Sequence, residues 1–432
     1  MSLLNRRRFL TRAGAAAATV GAAGAELLAN VPPAAAAQRA AGASTNALEL
    51  DGPAAVPVAI DPNATLPPVP FHGAHQAGIT TPRQSAACFV SFDVTAENRT
   101  TLIDLFQQLT DTARFLAVGG TPPNLGSGSP PSDSGTLGPI VPADGLTVTV
   151  GVGASLFDKR FGLRSRRPVH LTAMEPFPND DLDPAQTGGD LLLQICAGST
   201  DTAIHALRQI AKATRGGMQI NWRVDGFAAP SRPTGTPRGN FAFKDGIANP
   251  EVSDAAVADQ LLWVTGGLGE PAWTTGGTYH AVRIIRQLIE FWDRVSITEQ
   301  QEMIGRFRAS GAPLDGVLET DTPDYAADPK GNVIPLTAHI RLSNPRTADT
   351  ADSRMLRRSY SYDRGVDEAG NLDMGLVFNS FQQNLARQFI ATQTRLIGEP
   401  MVDYITPVGG GYFFALPGVR DASDWYARGL LS

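Results

Sequence analysis

Six histidines occur in the chain, and the segment around His339 is the most informative for chemistry. His339 lies in residues 337–346, close to the positive charges of Arg341 and Arg346. A single histidine is more often a packed or surface residue than a metal ligand. Two nearby guanidinium groups, however, favour binding of an anionic group such as a carboxylate. The segment is therefore a candidate ligand-binding site.

Two other segments carry charged side chains in apolar surroundings. Asp245 precedes Gly246 within the stretch FAFKDGIANP, residues 241–250, where a turn aspartate is the ordinary interpretation. Arg357 stands in the strand-like stretch MLRRSYSY, residues 355–362, where exposed edge charges are the ordinary interpretation. A carboxylate can also transfer protons and an arginine can stabilise developing negative charge, so both are candidate catalytic groups.

Together and in this order, the three segments resemble the dye-decolourising peroxidase (DyP-type) family, in particular its exported bacterial branch, which includes proteins called deferrochelatases. Further matching segments are residues 73–79, 146–163, 188–197, 222–227 and 409–414. So many matches in one order argue against chance. The resemblance implies a haem-dependent peroxidase that reduces hydrogen peroxide and oxidises bulky aromatic or dye-like donors, with haem b (iron protoporphyrin IX) as its cofactor.

The resemblance also implies roles for individual residues. His339 is the expected iron ligand, Asp245 the distal acid/base, and Arg357 the distal arginine. Asp403 is the candidate carboxylate partner of the second ring nitrogen of His339. The other residues expected to contact haem are Gly246, Ile247, Ala248, Arg306, Arg341, Asn344, Arg346, Phe378 and Phe381.

The sequence departs from the family at Ala242, where the family motif has glycine. If this position requires a positive φ, alanine there is strained by about 1 kcal/mol. Asp245 and Gly246 are retained, so the departure affects the loop conformation more than the chemistry.

The order of elements predicts an α+β fold made of two ferredoxin-like units, each a β-α-β-β-α-β unit with an antiparallel sheet. In the first, we predict strands at 86–92, 146–150, 191–197 and 219–224, and helices at 96–115 and 202–213. In the second, we predict strands at 279–285, 374–381 and 412–416, and helices at 298–308 and 386–396. The predicted domains are residues 71–230 and 231–432, with haem mainly in the second.

The first 70 residues have a different composition. Arg6 and Arg7 precede an alanine-rich stretch that ends in an Ala-Ala-Ala cleavage pattern, so residues 1–37 are expected to be a twin-arginine signal peptide. Residues 38–70 are expected to form a linker or extended arm. We therefore expect an exported protein, periplasmic or secreted, with no stable membrane insertion after signal removal.

Composition limits the remaining functions. The formal net charge of −6 disfavours nucleic-acid binding, and two cysteines are too few for a disulfide framework. Two alternatives to a dye-oxidising peroxidase stay open: deferrochelatase activity or ferrous-iron oxidation in iron uptake, and a non-catalytic secreted haem-binding protein. Expected partners are hydrogen peroxide and aromatic electron donors. Iron-uptake components and a second copy of the chain are further candidates.

Overall fold

The structure is a computed structural model that describes residues 65–432, so the predicted signal peptide and residues 38–64 of the predicted linker lie outside the described residues. Leu66 is already tied to the folded part, because its N–H donates to Asp144 Oδ1 at 3.1 Å. Its carbonyl accepts from the Gly145 N–H at 3.1 Å. Within residues 65–432, no helix combines the length and apolar character needed to cross a membrane.

In the part of the chain that the structure describes, nine strands form one antiparallel sheet. They are β1 Ala86–Val94, β2 Thr147–Gly153, β3 Leu191–Ala197, β4 Met218–Phe227, β5 Thr278–Gln287, β6 Leu356–Arg357, β7 Tyr360–Val366, β8 Leu372–Gln382 and β9 Ile405–Ala415. Eight of them close into a ring in the order β5-β9-β2-β3-β1-β4-β7-β8, with β8 pairing back onto β5, and β6 pairs with β8. Closure gives these strands partners on both sides.

The ring is paired unevenly. The ladders are long within the group β2-β3-β1-β4, and they are also long within the group formed by the other four strands of the ring, β9-β5-β8-β7. The two halves meet through Phe227 and Ser361 at one junction. At the other junction, three pairs join residues 151–153 to residues 413–415. The sheet therefore consists of two well-paired groups of strands joined by short ladders.

Apolar and aromatic side chains fill the inside of the ring. Phe89, Trp222, Tyr360 and Phe413 come from different strands and pack in one buried cluster. Because strand side chains alternate between two faces, the residues between them point outward. Cys196 belongs to this inner cluster, and Cys88 lies on the other face, so both cysteines are free and buried.

The outer face is covered differently in the two halves. The helices are α1 Arg99–Val118, α2 Thr200–Ala213, α3 Ala255–Leu261, α4 Ile289–Trp292, α5 Ile297–Ile304, α6 His339–Ser343, α7 Ala391–Arg395, which continues a π-helix at Ala386–Ile390, and α8 Arg428–Leu431. In the first half, the long helices α1 and α2 bury their apolar faces on the sheet. In the second half, the helices are short and leave a cavity.

The predicted elements of the first half are confirmed within a few residues at their ends. In the second half, β9 begins seven residues before the predicted 412–416. The prediction started too late because Gly409, Gly410 and Gly411 are residues typical of a loop. The short helix α6, which begins at His339, was not predicted, since five residues are too few to show a helical period.

Candidate active site

A cavity of about 280 Å³ lies on the outer face of β5 and β8. Ile285, Leu376 and Phe378 line it because they alternate along their strands with residues that fill the barrel. Its other walls come from Gly239 and residues 241–248, from parts of residues 304–325, from α6, from the segment at 353–357 and from residues 389–407. Residues far apart in the sequence thus face a single, largely apolar space.

His339 lies at the start of α6 and faces this cavity. Its Nδ1 is 2.7 Å from Glu399 Oε2, and the Glu399 side chain is only 3% exposed. An ionised carboxylate can only accept a hydrogen bond, so Nδ1 carries the donated proton, and in the neutral imidazole Nε2 keeps a free lone pair. Burial lowers the pKa of His339, but the charge and hydrogen bond of Glu399 outweigh that effect, and the net pKa is raised.

The carboxylate partner of His339 is therefore Glu399, and the prediction of Asp403 was wrong. Glu399 precedes the 3-10 helix Pro400–Asp403, whose backbone directs its side chain inward. Asp403, at the far end of that turn, is exposed and does not line the cavity. Two acids four residues apart were both available in the sequence, and only the direction of the turn distinguishes them.

Asp245 and Arg357 form a second polar wall of the cavity. Arg357 Nη2 is 3.7 Å from Asp245 Oδ1, and the two side chains are 28% and 38% exposed. This separation is an ion pair without a direct hydrogen bond. Both groups therefore keep free donors and acceptors facing the cavity.

The loop that carries Asp245 has the conformation expected to strain alanine. Ala242 has a φ of 67°, in the left-handed region, and Gly246 has a φ of 104°. Arg238 Nη1 donates to the Ala242 carbonyl at 2.8 Å, and the Asp245 N–H donates to the Pro237 carbonyl at 3.1 Å. Hydrogen bonds from the preceding segment thus hold alanine where glycine is the less strained residue.

One end of the cavity is rich in positive charge, with Arg306, Arg346 and Arg357 along its lining. Arg306 donates to the carbonyls of Gly311 at 2.7 Å and of Glu319 at 3.1 Å. Its burial and the neighbouring Arg346 and Arg357 lower its pKa, and Tyr325 partly counteracts them. Such a cluster favours an anionic ligand.

Tyr325 adds an unsatisfied group at this end. Within residues 65–432, its buried hydroxyl has no hydrogen-bond partner. Burial raises the pKa of Tyr325, while the charges of Arg346 and Arg306 act in the opposite direction. A buried polar group without a partner costs free energy, so this hydroxyl is available to a ligand that lies in the cavity.

Most of the residues predicted to contact haem line the cavity: Gly246, Ile247, Ala248, Arg306, Asn344, Arg346, Arg357 and Phe378, together with His339 and Asp245. Two others, besides Asp403, do not. Arg341 points away from it, because a residue two positions after His339 lies on the opposite side of the helix. Its guanidinium donates to the carbonyls of Asp328 at 2.7 Å and Ile334 at 2.9 Å.

Phe381 is also outside the cavity. It is fully buried in a different cluster, stacked on His280 with ring centroids 4.2 Å apart. Phe378 and Phe381 are three residues apart on β8, so their side chains lie on opposite faces of the strand. The alternation of a strand could have excluded one of the two from the sequence alone.

Comparisons with known proteins agree with this arrangement. Two family models match the chain: "Dyp-type peroxidase, N-terminal" over residues 76–228 and "Dyp-type peroxidase, C-terminal" over residues 236–420. The Deferrochelatase of Yersinia pestis bv. Antiqua (strain Nepal516) is 50% identical over 366 residues, which are 84% of this chain and 84% of the relative.

Solved structures are similar over the same part of the chain. A DyP-type peroxidase from Cellulomonas bogoriensis is 35% identical, with a TM-score of 0.76 over 84% of this chain and 98% of that one. The oxyferrous complex of DtpA from Streptomyces lividans is 33% identical, with a TM-score of 0.74 over 84% of this chain and 97% of that one.

An α+β barrel with this cavity and these relatives defines a haem-dependent oxidoreductase. The chain belongs to the Dyp-type peroxidase family, so its substrates are hydrogen peroxide and an electron donor. The residues that line the cavity fit haem: Nε2 of a neutral His339 would be available to iron, and Tyr325, Arg306 and Arg346 would offer donors to propionate carboxylates.

Proposed function

We propose that His339 binds the haem iron through Nε2 and that Glu399 fixes the orientation of its ring. The observation that carries this assignment is the 2.7 Å contact between Nδ1 and a 3% exposed carboxylate. Such a partner selects one tautomer and increases the electron density on the ligating nitrogen. Haem would supply the redox-active iron and the electrons that reduce peroxide, and His339 and Glu399 would hold that group in the cavity.

Asp245 is proposed as the acid/base and Arg357 as the charge-stabilising group for hydrogen peroxide. The Asp245 carboxylate takes a proton from one peroxide oxygen and returns it to the oxygen that departs as water. The guanidinium of Arg357 stabilises negative charge on that oxygen without a change in its own protonation. Their ion pair at 3.7 Å leaves both groups open to the cavity, which supports these roles.

The arginine-rich end of the cavity is proposed to hold the two propionates. Arg306, Arg346 and Tyr325 are the donors, and Asn344 lies beside them in the lining. The apolar contacts with the ring would come from Ile247, Ala248 and Phe378, and Gly246 allows close approach of the backbone. Apart from Asn179, the lining residues belong to residues 239–407, which supports a haem site mainly in the second half.

The two groups of strands are proposed to be two ferredoxin-like units. When the four strands of each group are numbered in chain order, both groups have the spatial order second, third, first, fourth. This order is β2-β3-β1-β4 in one group and β7-β8-β5-β9 in the other. That order is reached in both by a β-α-β-β-α-β path. In this proposal the two units keep the predicted limits of 71–230 and 231–432, and their sheets together form the barrel.

Bulky aromatic or dye-like molecules are proposed as electron donors. Deferrochelatase activity or ferrous-iron oxidation is the second candidate, because a relative that carries the name Deferrochelatase is 50% identical. Under that reading, iron-uptake components would be the partners. A homo-oligomer is a further proposal for the quaternary state.

Reconstituted holoprotein separates these functions. Mixed with peroxide and a dye, it should oxidise the dye in a reaction that requires Asp245 and Arg357. Formation of metal-free porphyrin from haem in the same holoprotein, measured by porphyrin fluorescence, would instead indicate deferrochelatase activity. A holoprotein that produces neither would contradict both proposals.

Residues 1–37 are proposed as a twin-arginine signal peptide that directs the protein to the periplasm or outside the cell. The support is the Arg6-Arg7 pair followed by the alanine-rich stretch and its cleavage pattern. Replacement of both arginines by lysine should leave the precursor in the cytoplasm, as shown by fractionation. Normal export in a host without the twin-arginine system would contradict this route.

A further inference from the structure

Asn249 joins the two residues that are proposed to act on peroxide, although it does not line the cavity. Its Nδ2 donates to the Arg357 carbonyl at 2.8 Å, and its Oδ1 accepts from the Arg357 N–H at 3.1 Å. The side-chain amide therefore pairs with both backbone groups of one residue, as a neighbouring strand would. Asn249 takes the place of a strand at this edge.

The strand β6 has only two residues and pairs with β8 on one side. The backbone groups on its other side therefore need a different hydrogen-bond partner. Backbone groups alternate in direction along a strand. The Arg358 N–H donates to the Asn379 carbonyl of β8 at 2.8 Å, so the backbone groups of Arg357 point the other way. Without Asn249, those groups would lose their protein partners on that side.

The same residue belongs to the turn that carries Asp245. The Asn249 N–H donates to the Gly246 carbonyl at 3.2 Å, and Gly246 has a φ of 104°. The backbone of Asn249 is thus part of the Asp245 turn, while its side chain holds Arg357. The ion pair itself is 3.7 Å long, so a direct hydrogen bond does not set the distance between the two functional groups.

We infer that Asn249 is a positioning residue whose amide sets the spacing between the Asp245 carboxylate and the Arg357 guanidinium. This inference rests on the proposed roles of Asp245 and Arg357. Loss of the amide frees the β6 edge and displaces Arg357 relative to the cavity. Small displacements of this kind lower the rates of enzymes whose catalysis depends on preorganised charge.

Fluoride binding to the ferric holoprotein tests the position of Arg357 without turnover, because bound fluoride accepts a hydrogen bond from a nearby donor. In Asn249→Ala, we expect the fluoride dissociation constant to rise about tenfold, as for the loss of about one effective hydrogen bond. The reaction with peroxide should slow about tenfold or more. Haem content and the resting absorption spectrum should stay unchanged, because His339 and Glu399 are not affected.

Asn240→Ala is the matched control. Asn240 is also half-buried, and its Nδ2 donates to the carbonyls of Gly375 at 3.0 Å and Tyr362 at 3.4 Å. Its loss should lower thermal stability by a similar amount and leave fluoride affinity unchanged. Asn249→Gln is the second variant: it keeps the amide but moves it by one methylene, and it should also weaken fluoride binding.

Arg357→Leu distinguishes the two levels of the proposal. If fluoride binds this variant as tightly as the parent, the proposed role of Arg357 is wrong. If Arg357→Leu weakens fluoride binding but Asn249→Ala and Asn249→Gln do not, the positioning role of Asn249 is wrong and the proposed function stands. An equal loss of fluoride affinity in Asn240→Ala would also overturn it, because the effect would then be a general loss of stability.

Discussion

The two polar walls of the cavity are built in opposite ways. His339 and Glu399 are joined by a 2.7 Å hydrogen bond, and Glu399 is almost completely buried. Asp245 and Arg357 stand 3.7 Å apart and stay about a third exposed. A metal ligand, the role proposed for His339, must keep one orientation, which a buried charge-assisted hydrogen bond provides. A group that exchanges protons with a substrate, the role proposed for Asp245, must instead remain open to it.

The backbone segments that carry the two walls differ in the same way. On the His339 side, Arg395 donates to the carbonyls of Leu342 at 3.0 Å and Ser343 at 3.1 Å, which ties down the end of α6. On the Asp245 side, the loop passes through the left-handed region at Ala242 and Gly246. One wall is held by satisfied helix carbonyls, and the other by a strained turn.

Loss of the fixed wall, which consists of His339 and Glu399, should have the largest effect on haem binding and activity. His339→Ala removes the only side chain proposed to bind iron, so we expect stable haem binding to be lost, or weakly held haem with negligible peroxidase activity. The ratio of Soret to protein absorbance after gel filtration measures haem content. His72→Ala, at an exposed histidine, is the control and should retain haem. Full occupancy with an unchanged Soret band in His339→Ala would remove His339 as the ligand.

Loss of the open wall, which consists of Asp245 and Arg357, should affect the rate of the reaction with peroxide more than haem binding. In Asp245→Asn, the proton acceptor is gone and the shape is kept, so we expect the reaction with peroxide to slow by ~10²–10⁴-fold. Stopped-flow absorbance of the holoprotein measures that rate, and its resting spectrum should change little. Asp403→Asn, at an exposed carboxylate outside the cavity, should react at the parental rate. Equal rates for Asp245→Asn and the parent would make the distal assignment wrong.

The sequence predicted which segments form these walls but not every side chain within them. His339, Asp245 and Arg357 were predicted from the resemblance of their segments to the dye-decolourising peroxidase family, and the structure brings all three to one cavity. Phe378 and Phe381 could have been separated by strand alternation, as noted above. Glu399 and Asp403 could not, because their directions depend on the packing of a single turn.

Barrel closure and the cavity depend on contacts between distant parts of the chain, and for a related reason they could not be predicted from the sequence. Helices and strands of the first half follow local apolar periods, so they were predicted well. Closure of the barrel depends on pairs such as Phe227 with Ser361 and Gly151 with Ala415, which leave no local pattern. The cavity likewise exists because the second half has short helices where the first has α1 and α2.

Glu399→Gln should weaken the fixed wall without removing it. The amide keeps the size of the side chain but not its charge, so we expect a ~10–100-fold loss in haem affinity or activity. In the haem-free protein, Glu399 raises the pKa of His339, and this variant should lower it, as measured by NMR titration of the imidazole. An unchanged imidazole pKa would mean that Glu399 does not interact with His339 in solution.

The smallest expected effect is a relaxation of the open wall. Ala242 has a φ of 67°, so Ala242→Gly should relieve strain and raise the free energy of unfolding by about 1 kcal/mol, reduced by the greater freedom of glycine in the unfolded chain. Peroxidase activity should stay within about twofold of the parent, because the methyl group carries no polar contact and Asp245 is retained. Urea denaturation of the holoprotein measures the change.

The same substitution at a helical position gives the opposite sign and serves as the control for Ala242→Gly. Ala391 begins α7 with a φ of −61°, where glycine lowers stability by about 1 kcal/mol. If Ala242→Gly destabilised the protein as much as Ala391→Gly, the loop at Ala242 would not be strained. If it stabilised the protein but slowed the reaction with peroxide, the strained turn would itself hold Asp245 in place, and the open wall would owe its geometry to that strain as well as to Asn249.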